Sequence, residues 1–128
     1  MEYISLMPNL MVKDVEKTVK FYEKILGFNV LQTVPENEPF VFAIVYANNV
    51  YISFQEENSI KEELPQLNKF TKGGGFTLYI TVTDINEIFE KVKNEVTIVK
   101  EMHKTFYGST DFVIEDCNGY VLTFSQQG

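Results

Sequence analysis

Two hydrophobic periods follow one another along this chain, and the succession occurs twice. Ile4 to Val12 reads as a strand with apolar residues on both faces. From Val15 the period lengthens. Val15, Val19, Tyr22 and Ile25 or Leu26 recur at steps of three and four, which is one stripe of a helix, while Lys13, Glu16, Lys17, Lys20 and Glu23 fall largely on the other side. Asp14 stands where an N-cap carboxylate accepts from the free N–H groups of the first turn. Gly27 stands where a helix ends on a left-handed residue. Phe28 to Val34 predicts a second strand and Pro35-Glu36-Asn37-Glu38-Pro39 a loop. Phe40 to Ala47 and Val50 to Gln55 predict two strands joined at Asn48-Asn49, a pair suited to a tight hairpin because Asn tolerates positive φ.

Glu56 to Gly75 is less regular. Ser59 with Glu62 reads as a capping box for a short helix anchored by Ile60, Leu64 and Leu67, with Pro65 inside it. Gly73-Gly74-Gly75 lacks the lysine and the strand–glycine–helix context of a phosphate loop, so it reads as a linker. The pattern then restarts. Phe76, Leu78, Ile80 and Val82 share one face of a strand, and Thr77, Tyr79 and Thr81 the other. Asp84 with Glu87 caps a helix whose stripe is Ile85, Ile88, Phe89 and Val92. Val96 to Val99 and Phe106 to Ile114 read as strands, the latter broken near Tyr107-Gly108. Asp116-Cys117-Asn118-Gly119 is a turn, where Asn-Gly favours a type I′ geometry, and Tyr120 to Gln126 is the last strand.

Val12-Lys13-Asp14-Val15 is therefore echoed by Val82-Thr83-Asp84-Ile85, and each begins a unit of strand, helix and three strands. The expected fold is α+β, two βαβββ modules in a single domain over residues 1–128: module 1 at about 1–56, a linker at 57–74, and module 2 at about 75–127.

Composition narrows the function classes. The chain is 45% hydrophobic and 14% aromatic, with eleven Phe, seven Tyr and no Trp, enough for a packed core with rings to spare. Eighteen acidic against eleven basic residues give a formal charge of −7. That argues against a nucleic-acid partner, which needs a basic footprint, and is compatible with solubility alone and also with attracting a cationic ligand. The one cysteine, Cys117, rules out an intrachain disulfide and a Cys-based metal cluster. No apolar run approaches the ~20 residues of a membrane span, and the first residues lack a basic segment and a small-residue cleavage site. A cytoplasmic, reducing setting with no membrane association is the expectation.

With Val12-x-Asp14, then Phe21-Tyr22, then Leu26-Gly27-Phe28, the chain resembles the vicinal oxygen chelate superfamily of glyoxalase I, extradiol dioxygenases, fosfomycin-resistance enzymes and bleomycin-binding proteins. The closing Asp116-Cys117-Asn118-Gly119-Tyr120 looks like that family's Asp-Pro-Asp-Gly turn, with Cys117 in place of proline. The resemblance implies paired βαβββ modules whose mixed sheet curls around a cleft, with helices on the outer face. In many members His or Glu side chains from four strands hold a divalent metal there. Carried onto this chain, those four positions fall on Met7, Ser53, Thr77 and Thr123. A thioether and three hydroxyls replace the imidazole or carboxylate donors such an ion needs. A slip of one residue would turn a strand's side chain to the opposite face. His103 is the only histidine, flanked by Lys100 and Lys104, and reads as a surface residue. The resemblance thus implies the metal-free, bleomycin-resistance-like branch, with no metal and no cofactor. It argues against enzymatic activity, with no catalytic residue assigned.

On that architecture, alternation assigns the cleft lining: Met7, Asn9 and Met11 from the first strand, Tyr51, Ser53 and Gln55 from the hairpin strand, and Thr77, Tyr79 and Thr123 from the second module, with Phe106 and Tyr107 at the rim. The expected function is the sequestration of a flat or cationic small molecule by a homodimer. Two alternatives stand beside it: a lyase or isomerase of the glyoxalase or dioxygenase kind with a relocated metal site, and a non-catalytic dimerisation module.

Overall fold

The computed structural model describes residues 1–128 as two compact units, 1–71 and 72–128. In the first, β1 (Asn9–Val12), α1 (Val15–Lys24), β2 (Asn29–Val34), β3 (Phe42–Ala47) and β4 (Val50–Glu56) are followed by α2 (Glu57–Glu63) and a 3-10 turn at Pro65–Leu67. The second contains β5 (Thr77–Thr81), α3 (Ile85–Val92), β6 (Thr97–Lys104), β7 (Thr110–Glu115) and β8 (Val121–Gln126). The sheets have orders β1-β4-β3-β2 and β5-β8-β7-β6. In each, the first strand of the module runs parallel to the last and the other pairs are antiparallel. The α+β reading and the paired βαβββ modules are what the chain forms.

The duplicated signals act at matching places. Asp14 and Asp84 cap α1 and α3, accepting from the N–H groups of Lys17 at 3.0 Å and Glu87 at 3.1 Å. Gly27 ends α1 in the left-handed region, φ +80°, which lets Phe28 N–H close back on the Tyr22 carbonyl at 2.9 Å. The stripes then bury against their own sheets. Tyr22 of α1 is fully buried, its ring 4.8 Å from that of Phe54 on β4, with Val12, Val45 and Ile52 around it in the core. In the second unit the Phe89 ring of α3 meets Phe112 edge-on at 5.0 Å, and Phe112 stacks on Phe124 at 5.2 Å.

Local chemistry overrode the hydrophobic pattern in several places. The first strand starts at Asn9 rather than Ile4, and residues 1–7 are exposed. Proline has no N–H to give a ladder, so Pro8 contributes only its carbonyl, which accepts from Ser53 N–H at 3.0 Å. Glu56, not Ser59, caps α2; its carboxylate accepts from the N–H groups of Asn58 and Ser59. The last strands also divide differently. β6 runs on to Lys104, and Phe106 and Tyr107 lie in a turn where Gly108 has φ +96°. In the closing turn only Gly119 is left-handed, φ +84°, so the turn is not type I′. The Asp116 carboxylate holds it instead, accepting from Asn118 N–H at 2.8 Å and Tyr120 N–H at 2.9 Å.

The glycine run is tied to that turn. Gly73 has φ +88°, and a Cβ there would lie 3.1 Å from the carbonyl oxygens of both Asn118 and Gly119. Lys72 Nζ donates to the same Asn118 oxygen at 3.4 Å.

Asp14→Ala and Asp84→Ala are each expected to cost about 1 kcal/mol in urea unfolding. The Asp14 share carries a pH signature. The Lys17 backbone N–H, foremost among several causes, holds its carboxyl below the usual value. That stabilisation is present above the unfolded-state pKa and disappears as pH falls through the folded one. The Asp14→Ala penalty should therefore be full near neutrality and shrink in strong acid; a penalty independent of pH would contradict the assignment. Gly73→Ala should cost more than Gly75→Ala. Both positions carry the left-handed strain of about 1–2 kcal/mol, but only Gly73 adds a clash, since nothing lies within 4 Å of a Cβ at Gly75.

Candidate functional site

Each sheet has one face under α1 or α3 and an opposite, open face that carries the polar residues, with α2 over part of it in the first unit through the bonds of Gln55 to Ser59 and Glu63. In the first unit β1 and β4 align Asn9 with Ser53 and Met11 with Gln55. Their side chains form a connected set. Ser53 Oγ donates to Asn9 Oδ1 at 2.9 Å, Asn9 Nδ2 donates to Gln55 Oε1 at 2.9 Å, and Gln55 Nε2 donates to Ser59 Oγ at 3.0 Å. Ser53 and Gln55 are buried, as is Met11, while Asn9 is exposed. Tyr51 stacks on Tyr46 across the hairpin, ring centroids 5.6 Å apart and planes 18° from parallel, and is half exposed. Met7 does not join this face as a strand residue. It lies on the exposed side of the Pro8 stop, ahead of β1.

In the second unit β5 and β8 align Tyr79 with Thr123 and Thr81 with Ser125. Thr77 Oγ1 and Thr123 Oγ1 hydrogen-bond to each other at 2.8 Å. Tyr79 hydroxyl lies 2.7 Å from Ser125 Oγ, and Ser125 Oγ donates to Asp111 Oδ1 at 2.5 Å. Ser109 Oγ donates to the same carboxylate oxygen at 2.9 Å, and the Tyr107 hydroxyl reaches Asp111 Oδ2 at 3.4 Å. Gln127 Nε2 donates to Ser125 Oγ at 3.0 Å. Asp111 is only 3% exposed and Ser125 and Ser109 are fully buried, whereas Tyr79 and Tyr107 are about half exposed, at 48% and 57%. Phe106 is fully exposed, its ring edge-on to Tyr107.

The two tyrosines are pushed apart in acidity. Ser125 first, then Gln127, hold the Tyr79 hydroxyl below the ordinary tyrosine value by hydrogen bonding. Burial raises Tyr107, and Tyr79 and the Asp111 charge raise it further.

Alternation thus grouped Asn9, Ser53 and Gln55 correctly, and likewise Thr77 with Thr123. It left out Asp111, Ser109 and Gln127. Asp111 had a readable signal. Aspartate is depleted in strands, and here it alternates with Phe112 and Ile114, whose stripe belongs to the helix side. Ser109 and Gln127 flank strand ends, where alternation gives no direction.

The four positions that the resemblance assigns to a divalent metal can be tested against this geometry. Ser53 Oγ is spent on Asn9 and on the Pro8 carbonyl at 3.2 Å, and Thr77 and Thr123 are spent on each other and on the Val121 carbonyl. Met7 offers only a thioether. No group of three or more His, Cys, Asp or Glu side chains is placed to hold a metal ion. These donors do not fit a divalent ion. No helix is long and apolar enough to cross a membrane.

Comparison with known proteins gives consistent results. Virulence protein STM3117 of Salmonella typhimurium is 26% identical over 121 residues, covering 91% of this chain and 79% of that protein. Its crystal structure has a TM-score of 0.74 to this fold at 22% identity, over the whole of both chains. TioX from Micromonospora sp. ML1 has a TM-score of 0.76 at 17% identity, covering 97% of this chain and 99% of that one. A glyoxalase/bleomycin resistance protein/dioxygenase family enzyme from Burkholderia phytofirmans has a TM-score of 0.76 at 18% identity, covering 94% and 95%. At these identities the structures share the fold. The family model of the glyoxalase/bleomycin resistance protein/dioxygenase superfamily matches residues 4–124. With that match over nearly its whole length, and with both βαβββ modules formed, the chain belongs to the glyoxalase/bleomycin resistance protein/dioxygenase superfamily.

Proposed function

We propose that this protein is a metal-free, non-catalytic binding protein that holds a flat or cationic small molecule on the open faces of its sheets. One observation carries the reading. The open-face positions where metal-dependent relatives would place ligands are hydroxyls already bonded to their neighbours, while half-exposed tyrosine rings stand on the same faces. Tyr51 and Tyr79 each offer a ring to stack and a hydroxyl to hydrogen-bond. A formal charge of −7 favours a cationic partner over an anionic one. The superfamily to which the chain belongs includes bleomycin resistance proteins by name, so its fold is compatible with sequestration as well as with turnover.

The same reading places the protein in a reducing cytoplasm as a homodimer. Cys117 is exposed and forms no disulfide, its sulfur accepting from Asn118 Nδ2 at 3.6 Å, and a reduced thiol suits reducing conditions. Tyr3, Ile4 and Leu6 are almost fully exposed ahead of β1, apolar surface that a second copy would cover.

Two measurements check the proposal. Protein purified without chelator is expected to contain far less than one equivalent of nickel, zinc, manganese or iron per chain; a stoichiometric metal would revive the lyase or isomerase reading. A thermal-shift screen should find flat aromatic cations that raise the melting temperature, with ligand at a hundredfold excess over Kd adding about 2.7 kcal/mol. Tyr79→Ala should then weaken the best ligand about tenfold, the equivalent of about 1.4 kcal/mol, while the amide spectrum stays folded. Undiminished affinity would remove Tyr79 from the site.

A further inference from the structure

The hydroxyls around Asp111 share one direction. As a carboxylate, Asp111 has acceptors and no donor. Ser125 and Ser109 each have one hydroxyl proton, and both are given to Asp111 Oδ1. The 2.5 Å separation from Ser125 is that of a charge-assisted O–H···O⁻ bond. With its proton committed inward, Ser125 Oγ can only accept, and it does so from Gln127 Nε2 and from the Tyr79 hydroxyl. The Tyr107 hydroxyl likewise points its proton at Asp111 Oδ2. The Tyr79 oxygen, which also accepts from Gln127 Nε2 at 3.4 Å, and the Tyr107 oxygen therefore offer lone pairs, not protons, on their solvent sides, with a buried carboxylate behind them.

We propose that Tyr79 and Tyr107 form a subsite for a hydrogen-bond-donating organic cation, an amidinium, guanidinium or ammonium group, whose charge is balanced through Ser125 by buried Asp111. This deepens the binding function above and rests on it. The ligand's N–H groups meet tyrosine oxygens that have no proton to offer in return. An anionic or acceptor group at the same place meets lone pairs and a carboxylate field, so it is rejected. The ionisable groups on the neighbouring strands do not neutralise Asp111. His103, its register partner on β6, turns Nδ1 to the Glu101 carbonyl oxygen at 2.8 Å. β8 brings only neutral Thr123, Ser125 and Gln126 to the strand's end, and β5 brings Tyr79 itself.

The duplication supplies an internal comparison. Asn9 and Ser53 of the first module correspond in register to Tyr79 and Thr123 of the second, seventy residues on in each case. Gln55 likewise corresponds to Ser125. Opposite Gln55 on β3 stands Phe42, and opposite Ser125 on β7 stands Asp111. The first module runs a chain of amides and hydroxyls along its face that ends on α2, where Gln55 Nε2 donates to Ser59 Oγ and, at 3.5 Å, to Glu63 Oε1. Only the second carries an ionisable side chain at this register position, where the first has an aromatic ring.

The test uses the full chain and three flat probes of one shape: benzamidine as the cation, benzamide as its neutral counterpart, and benzoate as the anion. Tyrosine ring signals are followed by NMR, assigned with Tyr79→Phe and Tyr107→Phe. Benzamidine is expected to shift the Tyr79 and Tyr107 signals and to bind at least about tenfold more tightly than benzamide, with no binding of benzoate. Asp111→Asn should bring the benzamidine-to-benzamide ratio close to one. Should that variant not fold, Tyr79→Phe, a change at a half-exposed hydroxyl, should lower the same ratio while sparing benzamide. Equal affinity for the three probes, benzamidine shifts at other rings only, or a ratio unaffected by both substitutions would overturn the proposal. Those results leave flat-ligand binding intact. The broader binding function fails separately, if neither these probes nor any compound in the thermal-shift screen binds.

Discussion

Parallel pairing of the first and last strands of each module is the constraint on which the rest depends. Parallel neighbours cannot be joined by a tight turn. Each module therefore inserts a helix and a hairpin between them, and the helix covers one face of the sheet. With a side-chain period of two, register then decides every other assignment. Leu10, Ile52, Phe54, Leu122 and Phe124 go under the helices, while Asn9, Ser53, Tyr79, Thr123 and Ser125 go to the open side. One residue of slip would exchange the two sets and bury the amides where Tyr22 and Phe112 now pack.

That constraint explains what the sequence made legible. Helix stripes, Asp14 and Asp84 as caps, Gly27 as a stop and the alternation in Phe76 to Val82 are local signals with one physical solution each, and all formed. Where the signals competed, the pattern misled. Ile4 to Val12 looked like one continuous strand because hydrophobicity says nothing about donors, and Pro8 withholds one. Asn118-Gly119 looked like a type I′ turn, but the Asp116 carboxylate satisfies two N–H groups of a longer turn and leaves only Gly119 left-handed. The site was legible as a face but not as a network. Alternation brought Ser53 to Asn9, yet it did not announce that neighbouring Ser109 and Tyr107 would join Ser125 of the adjacent strand on Asp111.

Every buried side-chain nitrogen and oxygen has a hydrogen-bond partner. This matters most on the open faces, where burying Ser53, Ser125 or Asp111 without partners would cost about 1–3 kcal/mol per group, and more for the charge. Closed polar networks of this kind hold their side chains in fixed rotamers, so the rings and oxygens at their edges are presented in a set geometry before any ligand arrives. The same closure bears on three of the four positions that the resemblance assigns to a metal: the hydroxyls of Ser53, Thr77 and Thr123 are already committed within the protein.

The difference between Phe42 and Asp111 has a consequence for how such a protein changes over time. Two copies of one scaffold unit need not share one chemistry. The first links its amides to α2, while the second buries Asp111 at the matching register position on the polar face of its sheet. Substitutions on β7 and β8 alone can then alter the chemistry of that face, with α1, β1 and β4 free to conserve the architecture. A duplicated module of this sort lets the polar face of one copy vary while the register of both is kept.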